Sequence, residues 1–201
     1  MERSQAIELL RLLEKKDLVP LAIEHQVTMW KGEKINKGWA GHTLERYLGL
    51  PINSAQSPNF GSWELKVVPL KRLKNGNLVP KETMAITMID PVNVAKTPFA
   101  GSHLLAKLRK AVVCARVFES KQERSSFLVK VNAFDLDNPT IFSQVENDYE
   151  AVRKIIQMDG FAHLSGSMGV LVQPRTKGPG HGSTSRAFYA RPTFVKYILG
   201  L

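Results

Sequence analysis

The segment Pro58-Asn59-Phe60-Gly61-Ser62-Trp63-Glu64-Leu65-Lys66 holds the residues best suited to chemistry. Trp63 to Val68 alternates and is β-branched in the manner of a strand. Side chains two apart in a strand share a face, so Glu64 and Lys66 point the same way while Trp63 and Leu65 turn to the core. A carboxylate beside an ammonium suits phosphodiester hydrolysis. The acid can bind Mg²⁺, and the lysine can position or deprotonate an attacking water near the scissile phosphate. Mg²⁺ prefers several oxygen ligands at near-octahedral geometry, so a second acid is expected at the start of the strand. The sequence has Asn59 there. Alone, Glu-x-Lys is also an ordinary arrangement of cross-strand charges, and its neighbours decide between the two.

The elements that must position these residues follow from periodicity. Ile7, Leu9, Leu10, Leu12 and Leu13 recur at helical spacing between Ser4 and Lys15, and a second helix is expected from Leu18 to Glu24. Lys31 to Lys37 reads as a loop. A helix over Gly38 to Leu48 buries Trp39, Leu44 and Leu48 and stops before Gly49. Asn53 to Asn59 is loop-like. After the Trp63 strand, Asn75-Gly76 signals a turn, and a strand over Thr83 to Ile89 is expected to complete the hairpin. Ser102 to Val113 returns to helical spacing, and strands are expected at Val113 to Phe118 and Phe127 to Ala133. Ser143, with Glu146 three residues on, forms a capping box for a helix over Gln144 to Met158. Gly169 to Val172 and Arg186 to Tyr189 read as short strands, and Thr193 to Leu199 as a last helix. Trp30, Trp39 and Trp63 read as packing aromatics.

The chain has 201 residues, 43% of them apolar, enough for one domain with a proper core. It carries 28 Lys+Arg against 18 Asp+Glu, a formal +10, which favours a polyanionic partner. Gly160 to Leu201 contains no acid but holds Arg175, Lys177, Arg186, Arg191 and Lys196, a set that reads as a phosphate-facing surface. No apolar run approaches a membrane span, and the N-terminus lacks a signal-peptide pattern, so a cytoplasmic protein without a membrane role is expected. The single cysteine, Cys114, excludes an intramolecular disulfide and a cysteine-rich metal site.

Further motifs accompany the Glu-x-Lys pair. Lys37-Gly-Trp-Ala-Gly-His-Thr-Leu-Glu45 precedes it. Ser102-His103 with Lys107-Leu108, the helix near Asp148 to Ile156, and Arg186-Ala-Phe-Tyr189 follow it. Together and in this order they resemble the MutH and MvaI-like type II restriction endonuclease family, within the PD-(D/E)xK nucleases. The resemblance implies an α/β, restriction-endonuclease-like fold: a mixed β-sheet core flanked by helices, with two lobes forming a DNA-binding cleft. A single nuclease domain over 1–201 would comprise a catalytic lobe near 1–135 and a recognition lobe near 136–201. It also implies Glu64 as a metal-binding carboxylate, Lys66 as the motif lysine and Glu45 as a helix-borne acid reaching the same centre. Lys107 would contact the phosphate near the cut, and Asn59, Glu64 and Leu65 would contact Mg²⁺. Asn59 occupies the slot of the family's aspartate, and its four-residue spacing to Glu64 is similar to the shorter MvaI pattern. An amide offers Mg²⁺ one neutral oxygen, so weaker metal binding and severely reduced cleavage are expected. Either an inactivating substitution or a naturally weak or silent relative accounts for it.

Gln173 to Ser185 is the candidate for reading bases. Arg175 and Lys177 can donate to guanine, Gln173 can serve adenine, and His181 can reach a base edge. Glycines at 178, 180 and 182 allow close backbone approach. Arg186 belongs to the same DNA-binding set, and Tyr189 resembles the family's tyrosine beside the adenine whose methylation is sensed. A basic loop that touches only phosphates, and a buried strand tyrosine, are the plainer alternatives. The expectation is a sequence-specific, Mg²⁺-dependent endonuclease acting on double-stranded DNA at a short site, weakened by Asn59. The alternatives are a mismatch-repair nickase needing a MutL-like activator, and a catalytically silent DNA-binding relative.

Overall fold

In the computed structural model of the protein, residues 1–50, 58–178 and 184–201 are described. The expected loop over Asn53 to Asn59 therefore lies mostly outside the described residues, as does His181. The central sheet has the order β4-β3-β6-β7, built from β3 (Glu64–Arg72), β4 (Leu78–Pro80), β6 (Lys110–Val117) and β7 (Leu128–Asp135). β3 and β6 run parallel, with Glu64 opposite Ala111, and the outer pairs are antiparallel. The sheet is mixed and helices flank it, the α/β class expected.

Both faces of the central strands are buried, which is why β6 reads as the nearly continuous apolar run Ala-Val-Val-Cys-Ala. On one face Leu65, Val112 and Cys114 pack against α1 (Arg3–Arg11), α2 (Leu18–Glu24) and α3 (Trp39–Tyr47) through Leu10, Leu18, Trp39 and Leu44. On the other, Val68, Leu70, Val113 and Ala115 join a larger core with α4 (Pro91–Lys96), α5 (His103–Leu108), α6 (Pro139–Met158) and α7 (Pro192–Leu199). Each fully buried Leu or Val stabilises the fold by about 1.5–3 kcal/mol. A second, antiparallel sheet of order β5-β9-β8 joins β5 (Met84–Met88), β8 (Val172–Thr176) and β9 (Arg186–Ala190). Among the described residues no helix is long and apolar enough to cross a membrane.

Several expectations are corrected. The Asn75-Gly76 hairpin is completed by β4, whereas β5 leaves the central sheet to pair with β9. α6 starts at Pro139, capped by Asn138, whose side chain accepts from Thr140 and Ile141 N–H; Ser143 is internal to it. Asn-Pro places a strong cap directly before the residue whose missing N–H is harmless at a first turn, and that outcompetes Ser143. α5 ends at Leu108, and its expected C-terminal half is the start of β6. The strand expected at Gly169 to Val172 begins only at Val172. Lys31 to Lys37 is not all loop, because β1 (Trp30–Lys31) and β2 (Lys34–Ile35) form a short hairpin. Trp39 and Trp63 are buried as expected, but Trp30, on β1, is 39% exposed.

Candidate active site

Residues 58–63 form a tight turn. Gly61 N–H donates to Pro58 O, Phe60 N–H donates to Trp63 O, and the Phe60 and Trp63 rings stack at 3.9 Å. Gly61 holds φ +74°, a left-handed conformation that favours glycine. The turn folds Asn59 back over the first residue of β3, so its main-chain N–H donates to Glu64 Oε2 at 3.0 Å. The four residues between Asn59 and Glu64 are thus taken up in this turn.

Glu64 is 1% exposed, far from the solvated charge that a lone Glu-x-Lys would give. It shares its strand face with Lys66, Val68 and Leu70, the face covered by the larger core. Its Oε1 meets Lys66 Nζ at 2.7 Å and Lys107 Nζ at 3.2 Å, the latter reaching across from α5. A buried carboxylate without such partners would be strongly destabilising. Glu45, on the buried side of α3, accepts from the Asn59 side-chain amide through Oε1, and its Oε2 is buried with no partner. Burial first, then the Glu64 carboxylate, raise the Glu45 carboxyl above the ordinary range, against the opposing pull of Lys66, the Asn59 amide and Lys107. Glu45, Asn59, Glu64, Lys66 and Lys107, from three separate stretches of chain, therefore meet in one cluster.

The donors fit a hard divalent cation: two carboxylates, the Asn59 side-chain carbonyl, and the main-chain carbonyl that is all Leu65 can offer, its side chain being buried in the core. Among the described residues no group of three or more His, Cys, Asp or Glu assembles, so phosphate and water would have to complete such a shell.

The second sheet meets this cluster at a bulge. Pairing between β5 and β9 slips between Ala85 and Thr87, and the skipped Ile86 turns its carbonyl to Lys66 Nζ at 3.2 Å. Cross-strand partners share a face, so Gln173, opposite Tyr189, and Arg175, opposite Ala187, lie on one face of this sheet with Tyr189. Arg175 donates to Thr83 Oγ1 at 3.1 Å and lies 6.0 Å from the Tyr189 ring centroid. Gln173 is only 5% exposed. Lys177 extends the hairpin, its N–H donating to Ser185 O at 2.8 Å. Partial burial, and then the Lys66 and Lys107 cations, hold Lys177 below the ordinary lysine range, which sets it within electrostatic reach of the cluster. Arg186 lies on the opposite face, over the Phe161 ring. Arg191 is not part of a phosphate-facing surface: its guanidinium donates to the carbonyls of Gly166, Ser167, Met168 and Gly169.

Sequence reasoning missed Asp148. This buried carboxylate of α6 accepts from the N–H groups of Val170, Leu171 and Val172 and from Gln144 Nε2, fixing the entry to β8. With Arg191 on the neighbouring carbonyls it clamps residues 166–172. The signal was present: Val145, Asp148, Tyr149 and Val152 form the buried stripe of α6, and an acid on such a stripe needs a partner set.

The family model described as DNA mismatch repair enzyme MutH matches residues 48–153, more than half of the chain. The chain belongs to the MutH family. Its curated relatives include the MutH protein of Vibrio campbellii, 26% identical over 222 residues, covering 99% of this chain and 91% of the relative. The Haemophilus ducreyi MutH is 26% identical over 185 residues, covering 82% of this chain and 78% of the relative. The type II restriction enzyme Sau3AI of Staphylococcus aureus is 26% identical over 192 residues, or 84% of this chain; the chain spans only 39% of that enzyme's length. Among solved structures, the restriction endonuclease MvaI in complex with its cognate DNA covers 98% of this chain and 97% of its own, at TM-score 0.40 and 13% identity. The matched MutH segment contains Asn59, Glu64, Lys66, Lys107 and Asp148 but not the β8–β9 hairpin.

Proposed function

We propose that this MutH-family chain is a sequence-specific, divalent-metal-dependent DNA endonuclease of the type II restriction kind. The observation that carries the reading is the convergence of Glu45, Asn59, Glu64, Lys66 and Lys107 on one buried cluster, in a chain of this family. Bound Mg²⁺ would supply charge stabilisation at the scissile phosphate. Lys66 and Lys107 place ammonium groups where that phosphate's negative charge enters, and Lys66 is the group positioned to orient or relieve the attacking water of a proton. Glu64 holds both lysines in register and, with residue 59 and the Leu65 carbonyl, would hold the ion. Arg175 and Tyr189 share one face of the second sheet and serve as the reading surface on double-stranded DNA, with the buried Gln173 beneath them and Lys177 as a backbone-phosphate contact; Arg186 stands apart on the other face.

A nickase of the MutH type is the second reading, favoured by near full-length coverage of MutH relatives against 39% of Sau3AI. A MutL-like activator would stimulate it. Asn59 favours a third, a silent DNA-binding relative.

The test is digestion of a long mixed-sequence DNA with Mg²⁺ by this chain and by its Asn59→Asp form, with a gel shift in parallel. Discrete bands are expected from Asn59→Asp. DNA retained but uncut by both, even with an activator, would favour the silent binder.

A further inference from the structure

We infer that Arg191 is a specificity-positioning residue: by gripping the loop 165–169 it fixes the pose in which Arg175 meets DNA. This role rests on the base-reading function proposed above for Arg175 and supplies what holds that side chain in place.

Arg191 is half-buried, follows β9 directly and turns its guanidinium into the loop that leads to β8. Nη2 donates to Gly166 O at 3.1 Å, Ser167 O at 3.1 Å and Met168 O at 3.0 Å. Nε donates to Gly169 O at 3.0 Å, and the main-chain N–H donates to Leu171 O at 2.9 Å. Consecutive carbonyls drawn to one cation by charge-assisted bonds hold the loop in a single curve around it. The end of the loop is fixed as well. Gly169 has φ +74°, and a Cβ there would strike Val172 O at 1.8 Å, so only glycine fits this passage into β8.

The loop covers the stem of Arg175. A Cβ on Gly166 would lie 3.7 Å from Arg175 Cγ and 3.7 Å from Pro174 O. Farther out, the Arg175 guanidinium lies 6.0 Å from the Tyr189 ring centroid and donates to Thr83 Oγ1 at 3.1 Å. Arg175 is exposed, yet its stem, its plane and its tip each have a support. A free arginine samples many rotamers, and only those that present the fork in the plane of a base pair read its edge. A stem held before DNA arrives removes that search and denies the side chain the swing that would accommodate a wrong base. Arg191 spends Nε and Nη2 on the loop and acts through Arg175.

The experiment selects bound DNA by gel shift from a duplex pool with a randomised core, with Ca²⁺ in place of Mg²⁺, and sequences it. The unaltered chain is compared with Arg175→Ala, Arg191→Lys, Gly166→Leu and the double variant Arg175→Ala with Arg191→Lys. Urea unfolding of each reports its fold. Arg191→Lys keeps the charge but replaces the fork by a single nitrogen. Gly166→Leu leaves the Arg191 side chain in place and pushes apolar atoms against the Arg175 stem. Arg175→Ala is expected to lower preference at one base position about tenfold. Arg191→Lys and Gly166→Leu are expected to lower it at that same position by about threefold or more, with affinity for unselected DNA nearly unchanged. In the double variant, Arg191→Lys is expected to add nothing there, the non-additivity that marks action through Arg175. Preference intact in Arg191→Lys and Gly166→Leu overturns the inference alone, as does a further loss at that position in the double variant. An unaltered chain that selects no motif, or a motif that Arg175→Ala leaves unchanged, overturns the base-reading function and this role with it.

Discussion

Asp148→Ala should loosen the second sheet, β5-β9-β8, from its root. The carboxylate accepts three main-chain N–H groups, from Val170 at 2.8 Å and from Leu171 and Val172 at 2.7 Å, plus Gln144 Nε2 at 2.9 Å. Val170 is 62% exposed and can turn its N–H to water, whereas Val172 is 1% exposed and Leu171 packs against the core. Two buried donors therefore lose their acceptor, each costing about 1–3 kcal/mol, and the lost charge-assisted bonds bring the total to about 3–5 kcal/mol. That is a large share of the roughly 5–15 kcal/mol that keeps such a domain folded. Asp148→Asn retains one acceptor oxygen and should cost about half as much. Urea unfolding with linear extrapolation measures both, the slope staying constant if only native-state stability changes. A parallel gel shift should show weaker DNA binding, because β8 carries Gln173 and Arg175. A loss under about 1 kcal/mol in Asp148→Ala, with DNA binding intact, would refute the clamp.

Arg175→Ala should relax specificity at one base position by about 1–3 kcal/mol, measured by selection from a randomised site, whereas Arg186→Ala, on the opposite face, should leave base preference unchanged. Lys177→Ala should weaken DNA binding at every sequence and lower the log–log salt slope by about one, read from affinities at several salt concentrations. Tyr149, whose hydroxyl donates to Thr97 O at 2.8 Å, has its phenol pushed up to about 12, first by burial and then by Glu150. The native state holds that proton where the unfolded chain, at about 10, has released it, so stability falls as pH rises from 10 towards 12. Urea midpoints across that range should fall less in Tyr149→Phe than in the unaltered chain.

The residues of the candidate cluster were more legible in the sequence than the frame that gathers them. Glu64 and Lys66 were legible because a strand's two-residue period forces them to one face, and Glu45 and Lys107 because their motifs carried a family pattern. What period could not show was that both faces of β3 are covered, so that Glu64 is a buried ion-paired group. β5 was misplaced because the Asn75-Gly76 turn signals a hairpin without naming its second strand: Leu78–Pro80 lies nearer and pairs first. The start of α6 was misread because Ser143-x-x-Glu146 and Asn138-Pro139 are both capping signals, and only the fold selects between them. Arg191 looked like one more basic surface residue, since its four carbonyl partners lie more than twenty residues away in sequence. The bulge at Ile86, which ties the motif lysine to the second sheet, left no mark in composition or period.

The most direct test of the central claim is to sequence the DNA ends left on a long mixed-sequence substrate by the chain and its Asn59→Asp form with Mg²⁺. Lys66→Ala in each background serves as the control. The cluster of Glu45, Asn59, Glu64, Lys66 and Lys107 predicts ends that fall at one short motif and vanish with Lys66→Ala. Scattered ends, ends that persist without Lys66, or none from either form while DNA is still bound would contradict it.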